Sequence, residues 1–149
     1  MSMLKKVGKL YLSLLHKRDK RSQIRIRLFL LLVSMILTFI ILRVYLHNFP
    51  YSNIKVWQYN IHHLFTGMIL LAIGGIPIAL IQKDSVLYRV ALVVFGSGLA
   101  MSFDEWIYLI VTNGTDIEYI LPVSFWGGLI MVSLACVYSI IVFAITRHK

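Results

Sequence analysis

Four long apolar runs constrain the fold of this chain more than any other feature. They cover approximately residues 28–46, 61–81, 86–111 and 120–145. A hydrocarbon layer about 30 Å thick is crossed by roughly 20 apolar helical residues, so each run has the length of one transmembrane helix. Backbone groups inside a bilayer need partners within a helix or a closed barrel, and runs of this length favour helices. The sequence therefore predicts an all-α four-helix transmembrane bundle in a domain spanning residues 28–149.

Composition excludes several other classes of protein. The chain is 59% hydrophobic and only 14% charged, which lies outside the range of soluble domains and disordered tails. Cys136 is the single cysteine, so no intramolecular disulfide can form. Four-helix thiol oxidoreductases of the quinone-linked kind need paired cysteines and are excluded. We predict that Cys136 is a small buried packing residue.

Positive charge is concentrated before the first apolar run. The net charge is +9, and the basic residues of segment 1–27 are Lys5, Lys6, Lys9, Lys17, Arg18, Lys20, Arg21, Arg25 and Arg27. A basic segment joined directly to membrane-length helices is typical of a cytoplasmic anchor and not of a nucleic-acid groove. Apolar residues recur in it at helical spacing, namely Leu4, Val7, Tyr11, Leu14 and Leu15. They predict an amphipathic helix on the inner leaflet, with Lys5, Lys6, Lys9 and Lys17 attracted to anionic lipids. The alternative is a basic tail that only fixes topology.

Basic residues also predict the orientation of the helices. With the N-terminus inside, the inner segments hold segment 1–27 together with Lys83, Arg89, Arg147 and Lys149. The outer segments then hold only Arg43 and Lys55. The positive-inside rule therefore predicts that both termini are cytoplasmic. Aromatic residues cluster toward the predicted outer face, as in an interfacial belt: Tyr45, Phe49, Tyr51, Trp57, Tyr59, Trp106, Tyr108, Tyr119 and Trp126.

Two acids interrupt the third run. An ionisable residue inside a crossing costs at least about 2.5 to 3.5 kcal/mol on insertion scales, so Asp104 and Glu105 need a partner or a role. Counted from Arg89 at about 1.5 Å per residue, they lie roughly 22 Å across the membrane, in the outer leaflet. His62 and His63 begin the second run, and His47 ends the first, so these imidazoles are predicted in the same layer.

Two helix faces are expected to pack together in this layer. His63, Gly67, Leu70 and Gly74 share one face of the second helix. The third helix presents Ser97, Ala100 and Asp104 on one face, and small residues on both faces permit close approach. Neighbouring residues are about 100° apart around a helix, so Asp104 and Glu105 are not expected to reach one spot without help.

Three hypotheses follow for this layer. Imidazole and carboxylate groups suit zinc, manganese or iron, which predicts a metal site formed by His62, His63, Asp104 and Glu105, with His47 as a further member. If that site is catalytic, the metal activates water and Glu105 moves protons, implying hydrolysis of a lipid-borne or periplasmic substrate.

The second hypothesis is a proton or ion relay of a transport system. The third is a structural clamp, His to Asp104 and Arg43 to Glu105, in a non-enzymatic membrane subunit or assembly factor. The residues leave open whether the protein is an enzyme. They also leave open whether the bundle is self-sufficient or forms a homo-oligomer, for example through Gly127 and Gly128.

Three motifs stand out in the second and third runs: His62-His63-Leu64-Phe65-Thr66-Gly67, Gly96-Ser97-Gly98-Leu99 and Asp104-Glu105. They resemble those of a family of small, largely uncharacterised bacterial membrane proteins. In that family an outer-face His-His pair opens one helix, and a glycine-rich helix ends in an acidic pair. The resemblance covers roughly residues 61–108. It implies a multi-pass protein of the bacterial inner membrane and supplies no activity.

Overall fold

A computed structural model describes residues 3–49, 54–56, 59–81 and 85–147. Its elements are α1 (Met3–Asn48), β1 (Ile54–Val56), β2 (Tyr59–Ile61), α2 (His63–Leu80), α3 (Val86–Val111), α4 (Asp116–Tyr119) and α5 (Pro122–Arg147). The predicted all-α bundle is confirmed. Between α1 and α2, strands β1 and β2 pair antiparallel, with Ile54 opposite Ile61, a feature that was not predicted from the sequence.

Four helices have the length and hydropathy of membrane spans. In the described part of the chain they are Ser22–Asn48, His63–Leu80, Val86–Val111 and Pro122–Thr146. The chain is therefore a multi-pass integral membrane protein. Helix α3 is its centre, because α1, α2, α4 and α5 all contact α3.

The first span is part of a longer helix. Helix α1 has 46 residues, about 69 Å at 1.5 Å per residue, and continues through residue 27, where the basic segment was predicted to end. The side chains of Lys5, Lys6, Lys9 and Lys17 lie outside the described part of the structure. Their attraction to an inner-leaflet surface stays a prediction.

Glycines set the distance between α2 and α3. A Cβ atom at Gly67 would lie 2.8 Å from the Gly98 carbonyl oxygen, and one at Gly98 would lie 2.7 Å from the Leu71 backbone nitrogen. At Gly74 the backbone nitrogen of Phe95 would be only 2.6 Å away. The two backbones are in direct contact along this face. The predicted face of α2 therefore does pack on α3, at Ala91, Phe95, Gly98 and Ser102. The predicted partner face of α3 was wrong in part, because Ser97 accepts from Thr38 of α1 and Ala100 packs with α1 and α5.

The other side of α3 packs against α1 and α5. Met35, Phe39, Ala100 and Val132 form a buried apolar cluster, with Cys136 partly buried beside it. Gly127 and Gly128 also lie inside the chain, because a Cβ atom at either position would clash with α3, at Ile107 and Asp104 respectively. These two glycines therefore serve contacts within the bundle, and a homo-oligomer stays a prediction.

Candidate functional site

Polar side chains meet at one end of the bundle, where α1 and α3 end and α2 and α5 begin. We call them the polar cluster: Arg43, His62, His63, Asp104, Glu105, Tyr119 and Ser124. Asp104 and Ser124 are fully buried. The cluster connects α1, α2, α5 and the α4 segment to α3.

Arg43 of α1 uses every N–H group of its guanidinium. Nε donates to Asp104 Oδ1 at 2.7 Å, and Nη1 donates to the Ser124 hydroxyl at 3.2 Å and to the Tyr119 carbonyl at 3.4 Å. Nη2 donates to the backbone carbonyls of Ser124, at 2.8 Å, and Asp104, at 3.3 Å. A guanidinium has five N–H donors, so none remains for a ligand. Its plane also lies over the Tyr119 ring, 4.4 Å from the centroid.

Both carboxylate oxygens of Asp104 already have contacts to donor groups within the chain. Its Oδ1 contacts both Nε and Nη2 of Arg43, the latter at 2.6 Å. Its Oδ2 accepts from the Tyr119 hydroxyl and lies 3.0 Å from His63 Nε2. A carboxylate offers about four lone-pair positions, and all four are occupied. Gly128 makes this possible, since a Cβ there would lie 2.6 Å from Oδ1.

Glu105 caps helix α2 from a neighbouring helix. The N-cap residue of α2, His62, makes no side-chain cap hydrogen bond. Instead, the Leu64 backbone N–H donates to Glu105 Oε2 at 2.7 Å. The first N–H groups of a helix have no intrahelical partner, and the helix dipole favours an anion there. Glu105 therefore satisfies a backbone donor that would otherwise be unpaired near the membrane.

The two histidines occupy the space between α2 and the acids. His62 Nδ1 lies 3.2 Å from Glu105 Oε1. His63 has Nε2 on Asp104 and Nδ1 at 3.2 Å from Glu105 Oε1. His63 thus contacts both acids, one with each ring nitrogen. Apart from His63, Asp104 contacts Arg43 and Tyr119 and Glu105 contacts the start of α2, in agreement with their expected separation around α3. The imidazole of His63 contacts both acids because it lies between them.

The α4 segment closes the cluster from the loop side. Tyr119 is buried, and burial raises the pKa of its hydroxyl above the ordinary value, with the Asp104 carboxylate adding to the effect. The Tyr108 hydroxyl donates to the Thr115 carbonyl at 2.8 Å, which fixes the start of this segment on α3. Gly114 turns the chain with φ +76°. Tyr119 therefore reaches Asp104 from a loop that is itself held in place.

Glu118 anchors this loop and makes it sensitive to acid. The Thr115 backbone N–H and hydroxyl donate to Glu118 Oε2, and these bonds hold the Glu118 pKa below its ordinary value. A carboxylate whose pKa is lowered in the folded protein stabilises the loop above the ordinary pKa of the unfolded chain, and this stabilisation is lost as pH falls through the folded pKa. We expect the Thr115 amide resonance to shift in that acidic window. Glu118→Gln should abolish the shift, and an unchanged titration in Glu118→Gln would contradict the assignment.

His47 does not join the polar cluster. Its side chain is exposed and lines a cleft of about 290 Å³ between α1 and the α4–α5 junction, together with Arg43, Val44, Asn48, Tyr119, Ile120 and Phe125. Arg43 forms the boundary between this cleft and the cluster. The structure therefore places His47 one turn beyond Arg43, away from the acids.

Five cluster members were predicted from the sequence, and Tyr119 and Ser124 were not. His62, His63, Asp104 and Glu105 do converge, but Arg43 contacts Asp104 and not Glu105 as expected for the clamp. The reason is the angle between the acids: Asp104 faces α1 and α5, and Glu105 faces α2. Tyr119 had been assigned to an exposed aromatic belt and is instead buried, as is Tyr108. Trp106 and Trp126 are exposed, in agreement with the predicted belt.

The contacts bear directly on metal binding. Among the described residues, no group of three or more His, Cys, Asp and Glu side chains could hold a metal ion. Asp104 has no lone pair to spare, and both ring nitrogens of His63 face carboxylates. Three of the five donors predicted from the sequence, His63, Asp104 and Glu105, are therefore engaged in contacts within the cluster.

The fold and the polar cluster define a small multi-pass integral membrane protein with buried charged pairs. No family model matches the sequence, and no match was found among curated proteins or solved structures. The resemblance to bacterial inner-membrane proteins is supported only as far as the multi-pass architecture. The family and the bacterial origin stay predictions.

Proposed function

We propose that this protein is a non-enzymatic membrane subunit or assembly factor, in which the polar cluster is a structural clamp. The observation that carries this proposal is the saturation of Arg43 and Asp104. A binding or catalytic site needs donors or acceptors that are free to meet a ligand. Here the five N–H groups of the guanidinium and both Asp104 oxygens are used within the chain.

The clamp explains why charged residues are present at this depth. Helix α2 contacts α3 but makes few contacts with α1 or α5, so its position depends on one interface. At one end of that interface His62 and His63 contact the acids of α3. Glu105 caps α2 there by accepting a hydrogen bond from the Leu64 N–H. In the bilayer, apolar surface alone does not drive helices together, because lipid is equally apolar. Polar contacts and close glycine packing then decide the arrangement.

Two other functions are less well supported. A metal site would need donors that the cluster already uses internally. A relay across the membrane would need polar groups at several depths, but the cluster occupies one layer. Deeper in the bundle, among the described residues, the Thr38 hydroxyl donates to Ser97 at 3.0 Å, and the buried Ser102 hydroxyl has no partner. These groups do not connect to Asp104.

We further propose that the cluster faces the outside of a bacterial inner membrane, with both termini in the cytoplasm and anionic lipids near segment 1–27. The distribution of Lys and Arg residues supports this orientation. The clamp would then fix the loop-facing end of the bundle, where a partner subunit could dock on a rigid surface.

Thermal melting in mild detergent tests the clamp against a ligand-binding role. His63→Ala leaves the Asp104 and Glu105 oxygens short of one partner each, so we expect a loss of about 1–3 kcal/mol. Glu105→Gln keeps an acceptor for the Leu64 N–H but removes the charge, so its loss should be smaller. His47→Ala is the matched control and should melt as the wild type does.

The same samples should be analysed for metal by mass spectrometry, after purification without chelators or immobilised metal. The clamp predicts no stoichiometric metal in the wild type. About one metal per chain, lost in His62→Ala/His63→Ala, would replace the clamp with a metal site. Unchanged melting of both His63→Ala and Glu105→Gln would also contradict it.

A further inference from the structure

The two contacts of the His63 ring require a particular number of protons. A neutral imidazole has one N–H donor and one bare nitrogen, and an ionised carboxylate has acceptors only. His63 Nε2 lies 3.0 Å from Asp104 Oδ2, and its Nδ1 lies 3.2 Å from Glu105 Oε1. A neutral ring between two ionised acids would place a nitrogen lone pair against a carboxylate oxygen on one side. The arrangement therefore calls for one more proton.

The surrounding groups determine where that proton lies. Asp104 already contacts donors from Arg43 and Tyr119 on its two oxygens. Glu105 accepts the Leu64 N–H on Oε2 and faces His62 Nδ1 with Oε1. A proton on either carboxyl group would compete with one of these donors. On His63, in contrast, Nε2 is within hydrogen-bond distance of Asp104 Oδ2, and Nδ1 is within ion-pair distance of Glu105 Oε1.

Charge balance leads to the same assignment. Arg43 and the two acids together carry one net negative charge, so one more positive charge makes the cluster electroneutral. His63 contacts both acids and its side chain is 14% exposed, whereas His62 contacts only Glu105 and is 21% exposed, which favours His63 as the place of that charge. A doubly protonated His63 makes two positive and two negative charges, so the cluster is electroneutral. A neutral His63 would leave one uncompensated negative charge among groups that are almost completely buried: the side chains of Asp104 and Glu105 are 0% and 4% exposed. Uncompensated buried charge is strongly unfavourable.

We propose that His63 is an imidazolium that bridges Asp104 and Glu105, so that the cation bound between the two acids is a proton. The proposal rests on the clamp and states what holds it together. An imidazolium has no lone pair, so His63 cannot act as a metal ligand while it carries both protons. Helix α2 is thereby joined to α3 by an ion pair on each side of one ring.

Nitrogen NMR of protein labelled with ¹⁵N-histidine tests this directly, in detergent micelles at pH 7. The two ring nitrogens of a neutral imidazole give widely separated resonances, and those of an imidazolium give similar ones. We expect both His63 nitrogens to be protonated in the wild type. His63→Gln identifies the resonances by their loss, and His62→Gln should leave the imidazolium signals in place.

Glu105→Gln provides the matched comparison. The glutamine amide can donate to Nδ1, and removal of one negative charge makes the neutral ring the electroneutral choice. We therefore expect the imidazolium signature to be lost in this variant, with the remaining proton on Nε2 toward Asp104. If Glu105→Gln does not fold, the wild-type spectrum still decides the question.

The outcomes separate this inference from the clamp. One protonated and one bare nitrogen on wild-type His63 would overturn the imidazolium, even if His63→Ala still lowers the melting temperature and so supports the clamp. An imidazolium signal that persists unchanged in Glu105→Gln would also overturn the bridging role. Two protonated nitrogens on wild-type His63 support the imidazolium if this signature is lost in Glu105→Gln. They also support it if Glu105→Gln does not fold.

Discussion

Replacing Asp104 with alanine should be the most damaging single change at the cluster, with a loss of about 3–5 kcal/mol in unfolding free energy. The variant removes the carboxylate that pairs with Arg43 and leaves a guanidinium that is only 12% exposed without its counter-ion. It also removes the acceptor of the buried Tyr119 hydroxyl. Equilibrium unfolding in mixed detergent micelles would measure the loss.

A double-mutant cycle with Arg43→Met shows whether the pair acts as a unit. A lone Asp104 or a lone Arg43 is an uncompensated buried charge, whereas removal of both removes that charge and leaves only the polar partners of the pair, such as the Tyr119 hydroxyl, to find other contacts. We therefore expect the double variant to lose much less than the sum of the two single losses, with a coupling of about 0.5–3 kcal/mol. Additive losses would show that Arg43 and Asp104 stabilise the bundle independently and would contradict the clamp.

The architecture could be predicted from sequence because hydrophobicity determines it. Each of the four runs is long enough to span a bilayer, and a helix is the structure that satisfies the backbone there. The layer of the cluster was also predictable, since rise per residue converts sequence position into depth. His62, His63, Asp104 and Glu105 could therefore be brought together from counting alone.

The partners within the layer depend on the rotation of each helix and on the loops, which hydropathy does not report. Arg43 pairs with Asp104 because α1 packs on that side of α3. Glu105 is turned toward the start of α2, where it meets the Leu64 N–H. No residue-type signal marks a backbone donor, so this cap could not be found from the sequence.

Tyr119 and His47 also show that hydropathy does not report side-chain direction: Tyr119 was expected to be exposed and is buried, and His47 was expected in the cluster and is exposed. An aromatic residue near the end of a crossing is ordinarily interfacial, but the capped α4 segment turns Tyr119 inward onto Asp104. His47 lies at the depth of the acids, yet it is one turn beyond Arg43 on α1 and faces a cleft. For both residues the position along the helix axis was predicted correctly from the sequence. The direction in which the side chain points could not be predicted from it.

Helix packing at the glycines gives the second large effect, and adjacent residues provide the comparison. At Gly74 an added Cβ would lie 2.6 Å from the Phe95 nitrogen and 2.7 Å from the Ala91 carbonyl oxygen. At Gly75 the nearest atoms belong to the Phe95 ring, at 3.5 Å, which is an ordinary contact. We expect Gly74→Ala to lose about 1–3 kcal/mol, because backbone atoms of α3 must move. Gly75→Ala should unfold at or slightly above the wild-type midpoint.

Comparing Gly74→Ala with Gly75→Ala separates the effect of helix packing from the gain in helix propensity that alanine brings. Both substitutions replace glycine by the same residue in the same turn of α2, so both gain the same helix propensity of roughly 1 kcal/mol. The difference between the two midpoints therefore reports the contact between α2 and α3. Equal midpoints would mean that α2 is not held at backbone contact. The glycine face and the polar cluster belong to the same interface between α2 and α3. Equal midpoints would therefore mean that close glycine packing does not bring His62 and His63 to the acids of α3.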